Sequence, residues 1–191
     1  MTRDEEIYLL QQINEDPKYF GVVFDTYYKN VFSYIFKRVA DYDTSKDIAA
    51  ETFLKAFLNI HSFVWKDISI SSWIYRIATN EINYHFRKRK YFMVSLDNLM
   101  DKSDYDLLRG YDDVDDKQSI ELEVEHHGEF FKVQKSLAQL DIRYQEVLSL
   151  RYFEKKSIIE IAEILGKKVG TVKSLLSRGV EKLRILMCNA T

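Results

Sequence analysis

One cysteine, one proline and six glycines in 191 residues exclude several classes of protein at once. With Cys188 alone there is no internal disulfide and no C-x-x-C metal site, so nothing points to an oxidising compartment. The scarcity of proline and glycine, set beside long apolar runs at period 3.6, argues against a turn-rich sheet protein. No apolar run approaches the length of a membrane span, and no basic start precedes an apolar segment of the secretory type. The cytoplasm is therefore the default location. A Gly-rich phosphate loop is missing too. The four histidines, His61, His85, His126 and His127, lack the spacing of a metal site, and His126 and His127 with Glu123 and Glu125 are weak ligands at best. No catalytic constellation, metal or cofactor is expected, and the chain is not read as an enzyme.

What is present is apolar, helical and unevenly charged. A hydrophobic content of 46% is enough for real cores, and an all-α chain is expected. The net charge of −2 conceals a partition. Residues 66–90 carry six Lys or Arg against two Asp or Glu, residues 91–128 three against eleven, and residues 151–191 nine against four. Two basic islands flanking an acidic segment suit two nucleic-acid contacts held apart by a stretch that avoids phosphate. The acidic segment has little apolar periodicity before Phe130. Residues 93–128 are therefore expected to form a linker between domains at 1–92 and 129–191. As a flexible chain it would have an end-to-end distance of about 35 Å and a reach of about 125 Å.

The most specific stretch is Ser157 to Arg184. Ser157 and Glu160 form a capping box, and Ile158, Ile161, Ala162 and Leu165 make the inward stripe of a first helix. Gly166 suits a helix stop needing positive φ, and Lys167 to Gly170 turn the chain into a second helix with Val172, Leu175, Leu176, Val180 and Leu183 inward. Lys168, Thr171, Lys173, Ser174, Ser177, Arg178 and Arg184 stand outward. Such short polar and cationic groups suit base edges and phosphates in a major groove, so the pair reads as a helix-turn-helix. The plainer alternative is a solvated amphipathic helix pair.

In the first half, an aromatic-rich helix is expected over Phe20 to Val39, with Val23, Phe24, Tyr27, Tyr28, Val31, Phe32, Ile35, Phe36 and Val39 recurring at helical spacing. A second helix is expected from Thr44, capped with Asp47, to about Ile60, burying Ala49, Phe53, Ala56, Phe57 and Ile60. Its outer face carries Asp47, Glu51 and Lys55, which on residue type alone is as well read as a solvated surface. A third is expected from Ser71 or Ser72, with Trp73, Ile74, Ile77, Ala78 and Ile82 among Arg76, Asn80, Asn83 and Tyr84, before the run Arg87 to Lys90. Aromatics and amides beside cations suit unstacked bases better than intact duplex, although Trp73 is equally a core residue.

The successive words FDTYYKNVFSYIFKRV, DTSKDIAAETFLKAFLNI, SSWIYRIATNEINYHFRKRK and LAQLDIRYQEVLSLRYFEKKSIIEIAEILGKKVGTVKSLLSRGVEKLR resemble the sigma-70 family of RNA polymerase sigma factors, in its extracytoplasmic-function group. The resemblance covers about residues 5–90 and 129–187. It implies a region 2-like helical bundle that binds core RNA polymerase and the −10 promoter element, and a region 4-like helix-turn-helix for the −35 element. Asp47, Glu51 and Lys55 would then face polymerase. His61, Lys66, Trp73, Asn80, Asn83, Tyr84, Arg87 and Lys88 would meet −10 DNA, the loop from His61 to Ser72 capturing an extruded base. Lys168, Thr171, Lys173, Ser174, Ser177 and Arg178 would meet the −35 element.

The linker would lie along the polymerase cleft, and an anti-sigma factor is an expected partner. No membrane insertion and no small-molecule substrate are implied. Leu175 stands where the family often has Arg, and Tyr84 where many relatives have Asp, so contacts at both elements are expected to differ from those of relatives. A response-regulator type of helix-turn-helix protein leaves residues 20–90 unexplained, and a purely protein-binding helical adaptor leaves the basic islands unexplained.

Overall fold

The computed structural model describes residues 1–63, 68–97 and 127–189. Lys66, His126 and most of the acidic stretch expected as a linker lie outside them. The described residues form eight α-helices with short 3-10 and π turns, and no strand among them. They are α1 (Arg3–Glu15), α2 (Phe20–Val39), α3 (Tyr42–Asn59), α4 (Ile70–Asp97), α5 (His127–Ala138), α6 (Ile142–Leu148), α7 (Ile158–Leu165) and α8 (Val169–Asn189). The all-helical expectation holds. Helix α4 continues to Asp97, past the residue where the linker was expected to begin.

Helix α1 was not anticipated, although Thr2 and Glu5 form a capping box at its start. Helix α2 has the expected limits. Its rings stack along the rod, Phe24 on Tyr28 at 4.7 Å and Phe32 on Phe36 at 6.4 Å between centroids, as i,i+4 neighbours should. Phe53 of α3 meets Phe24 edge-on at 5.0 Å. Fully buried Val23, Val31 and Ile35 line the side facing α3 and α4, each contributing roughly 1.5–3 kcal/mol by leaving water.

The start of α3 departs from the sequence reading. Its cap is Asp41, whose carboxylate accepts the Thr44 N–H at 2.8 Å, so the helix begins two residues before Thr44. An extended residue with a short side chain ending in an acceptor is what the exposed first N–H groups require, and Asp41 supplies it earlier in the chain. Phe57 stays 38% exposed, touching Phe20 edge-on. Helix α4 likewise starts before Ser71. The Ser69 hydroxyl accepts the Ser72 N–H at 3.0 Å, and the buried Glu6 carboxylate accepts the Ile70 N–H at 3.2 Å. An anion from α1 thus sits at the positive end of α4.

In the second half, Ser157 and Glu160 form the expected capping box, and Gly166 takes φ 61° at the end of α7. The turn is shorter than expected, because α8 begins at Val169 and Gly170 lies inside it. Val172 is fully buried, whereas Val180 is 41% exposed and not part of the core. Gly179 takes the inward place instead: a Cβ there would come within 3.3 Å of Leu148, so glycine lets α8 cross close over α6. The halves also touch each other, α4 against α7 and α2 against α5 and the turn after α6.

Candidate polymerase and nucleic-acid interfaces

Three exposed faces emerge from this packing. On α3, Asp47 and Glu51 are exposed as expected, but Lys55 is not free. Its Nζ lies 2.7 Å from Glu81 Oε2 of α4 and 3.1 Å from Glu51 Oε1. The hydrogen bond to Glu81 leads the causes that hold its pKa above the usual lysine value. Lys55 thus clips α3 to α4. Sequence reasoning missed Leu54 and Leu58, which are 52% and 65% exposed. Positions 47, 51, 54 and 58 follow the helical i, i+4, i+7, i+11 series, so two carboxylates and two leucines share one surface. The signal was available as apolar residues off the buried stripe.

The second face belongs to α4. Ile74, Ala78 and Ile82 are fully buried and fix the rotation of the helix, leaving Asn80, Tyr84, Arg87 and Lys88 exposed along one side. Tyr84 is 57% exposed, an open ring among cations. Trp73 is half-buried and tilted against Phe63, 4.9 Å between centroids. Both line an open cleft of about 500 Å³ that also includes Asn59, Ser62, Arg76, Asn80 and Glu81. His61 is exposed and tied to α1, its Nδ1 2.9 Å from Asn14 Oδ1. Asn83 leaves the group: its Nδ2 donates to Glu146 of α6 at 2.6 Å. His85 has its pKa lowered, first by burial and then by Arg89, which leaves the charge of this face to Arg87, Lys88 and Arg89.

The third face is the N-terminal half of α8. With Val172 as the inward anchor, Thr171, Lys173, Ser174, Ser177 and Arg178 are all exposed, and Lys168 stands exposed just before the helix. Leu175 is half-buried against the core. This arrangement presents hydroxyls and cations on the first three turns of the second helix of the pair, the part that enters a major groove in helix-turn-helix proteins. Among the described residues, no group of three His, Cys, Asp or Glu is placed to hold a metal, and no helix is long and apolar enough to cross a membrane.

Comparison with known proteins matches the same two halves. Residues 23–91 match the model of sigma-70 region 2, and residues 130–183 that of sigma-70 region 4. The ECF RNA polymerase sigma factor SigW of Bacillus subtilis is 31% identical over 174 residues, covering 88% of this chain and 89% of that protein. The RNA polymerase sigma factor YlaC of the same organism is 32% identical over 161 residues, covering 83% of this chain and 86% of that one. Among solved structures, CnrH in complex with the cytosolic domain of CnrY has the same fold, with a TM-score of 0.66 and 19% identity over 97% of this chain and 99% of that one. The sigma factor RpoE bound to the anti-sigma factor NepR from Bartonella quintana gives a TM-score of 0.63 and 21% identity over 88% and 96% of the two chains. Both sigma-70 regions in their usual order, with this identity over nearly the full length of the relatives, show that the chain belongs to the sigma-70 family of RNA polymerase sigma factors, in its extracytoplasmic-function group, and acts in transcription initiation.

Proposed function

We propose a division of labour among the three faces. The Asp47, Glu51, Leu54 and Leu58 surface of α3 binds core RNA polymerase. The α4 face reads the −10 element, and the first turns of α8 read the −35 element. The α4 face combines a stacking ring at Tyr84, an amide at Asn80 and cations at Arg87 and Lys88, a mixture suited to unpaired bases and their phosphates. The α8 face offers hydroxyls and cations without a large ring, as duplex readout in a major groove requires. The Trp73 and Phe63 cleft beside Asn80 has room for a base turned out of the stack. The bond-making chemistry belongs to the polymerase, and this chain supplies position. An anti-sigma factor covering the polymerase-binding surface fits the same reading, since the sigma factor RpoE, which shares this fold, has been solved in complex with the anti-sigma factor NepR.

The observation that carries the proposal is the presence of two separate exposed basic faces, one on each half, with different side-chain chemistry. Run-off transcription from genomic fragments with core polymerase tests it. Transcripts that start a fixed distance from a shared −35 and −10 pair, only when the protein is added, are expected. Tight binding to a palindromic duplex without polymerase and without new transcripts would instead mark a stand-alone regulator.

A further inference from the structure

Helix α1 contributes to none of the three faces, and it lies ahead of residue 23, where the match to sigma-70 region 2 begins. Its inward side carries Glu6, Leu9 and Ile13, all buried. A leucine at position 6 would complete that apolar stripe, whereas a carboxylate taken out of water is destabilising unless hydrogen bonds hold it. Glu6 has such bonds: its Oε2 accepts the Ile70 N–H at 3.2 Å and its Oε1 the Tyr27 hydroxyl at 3.4 Å. Burial, and then Glu6 itself, pushes the Tyr27 pKa up to about 12, so the phenol keeps its proton and donates.

A second tie leaves the far end of α1, where Asn14 Oδ1 lies 2.9 Å from His61 Nδ1. The two ties are separated by two turns of one helix, about 12 Å along its axis. They reach the two segments that line the cleft beside Asn80. Asn59, Ser62 and Phe63 come from the segment around His61, and Ile68, Trp73 and Asn80 from the segment around and after Ile70. The segments meet where Phe63 tilts against Trp73 at 4.9 Å. One helix, anchored in the core by Leu9 and Ile13, therefore holds both.

We infer that α1 is a positioning element for the −10 interaction, in which Glu6 and Asn14 fix the relative placement of the Phe63 and Trp73 segments so that one base turned out of the strand can enter the cleft. The inference rests on the assignment of this cleft to a −10 base. Neither residue has to touch DNA. The physical basis is preorganisation: a pocket held in its receiving geometry loses little conformational freedom when the base arrives, and its affinity for that base is higher for it. Glu6 acts at the same point through its charge, because the first N–H groups of α4 are partly positive and need acceptors.

The test uses the full chain assembled with core polymerase and a single-stranded non-template oligonucleotide carrying a −10 element mapped by run-off transcription. An abasic site is moved along the element, and the position at which it weakens wild-type binding most is taken as the base in the cleft. The measured quantity is the ratio of intact to abasic affinity at that position. Glu6→Leu is expected to lower the ratio about fivefold or more and Asn14→Ala about threefold, as the lost preorganisation requires. Glu6→Gln, which keeps an acceptor for the Ile70 N–H, is expected to restore it to within about twofold of the wild type. Equal weakening of intact and abasic strands would mark a purely structural role and overturn the inference, as would an unchanged ratio. Thermal melts show which variants are folded, and if Glu6→Leu is not, Asn14→Ala decides, its side chain being exposed. Asn80→Ala separates the two readings. If it abolishes the ratio while folded α1 variants keep it, the role of α1 fails alone; if it leaves the ratio untouched, or the wild type shows none, the assignment of the cleft fails and the role of α1 with it.

Discussion

Arg76 of α4 closes the C-terminal end of α7, its guanidinium donating to the backbone carbonyls of Glu163 and Ile164. A helix end leaves carbonyls unpaired and partly negative, and a cation there satisfies both needs. Here the cation comes from the other half of the molecule, some ninety residues away in sequence. Arg76→Ala should therefore change the cooperativity of unfolding more than the stability of either half. The expected outcome is a broadened or split calorimetric transition, with the interface weakened by about 1–3 kcal/mol. A single sharp transition at the wild-type temperature would mean that Arg76 does not couple the melting of the two halves.

Asp47→Arg with Glu51→Arg should leave the fold intact, because both side chains are exposed, and reduce binding to core polymerase through reversed charge. Leu54→Ala with Leu58→Ala should act on the same surface through lost apolar contact, each pair weakening binding about tenfold or more. A pull-down with core polymerase checks both. Unchanged capture by both double variants would remove α3 as the docking surface.

On α8, Lys173→Ala and Arg178→Ala should each lower promoter-specific transcription about tenfold, the scale of one lost base contact. The loss should disappear on promoters already mutated in the −35 element. If it persisted there, and only −10 mutations mattered, the helix-turn-helix would have another task.

Acid should loosen the start of α3. The Asp41 pKa is lowered, chiefly by its hydrogen bonds with Thr44. A carboxylate whose folded pKa lies below its unfolded value contributes stability above the unfolded value, near 4 for Asp. That contribution is lost as pH falls through the lower, folded pKa. Asn caps helices about as well as Asp, so Asp41→Asn should match the wild type at neutral pH and lose less stability in acid. Urea unfolding at pH 7 and pH 3 measures this; identical pH dependence in the two proteins would show that Asp41 is not the titrating cap.

Ala40 ends α2 in the left-handed region with φ 60°, its N–H donating to the Phe36 carbonyl at 2.8 Å. A side chain there costs roughly 1–2 kcal/mol that glycine avoids, and part of the gain is offset by the freer unfolded chain. Ala40→Gly should raise stability by about 0.5–1 kcal/mol, read as a higher urea midpoint with an unchanged slope. A lower midpoint would count against the conformation at Ala40.

Much of the helical content, and the candidate faces with it, was legible in the sequence, because both are recorded locally. Helix α2 could be bounded to the residue from its apolar period, and α7 from its Ser157 and Glu160 box and Gly166 stop. The outward set on α8 follows from Val172 alone once the period is known, since fixing one inward residue fixes the rotation. The misplaced starts of α3 and α4 arose where several capping residues stood within a few positions and geometry chose among them.

The sequence by itself determined that α2, α3, α4, α7 and α8 are helices and which side of most of them is apolar, because periodicity and capping are properties of neighbouring residues, and its successive words carried the family resemblance. Only the tertiary structure decided how those sides are used. Ile164 lies off the predicted inward stripe yet is 1% exposed, because α7 packs against α4 as well as α8. Lys55, read as an outward contact, is held by Glu81, and Asn83, read as a base contact, is held by Glu146. Each of these partners comes from a helix distant in sequence. Which polar groups meet across such a contact depends on the relative position of whole helices, and that is fixed by long-range packing that local patterns do not encode.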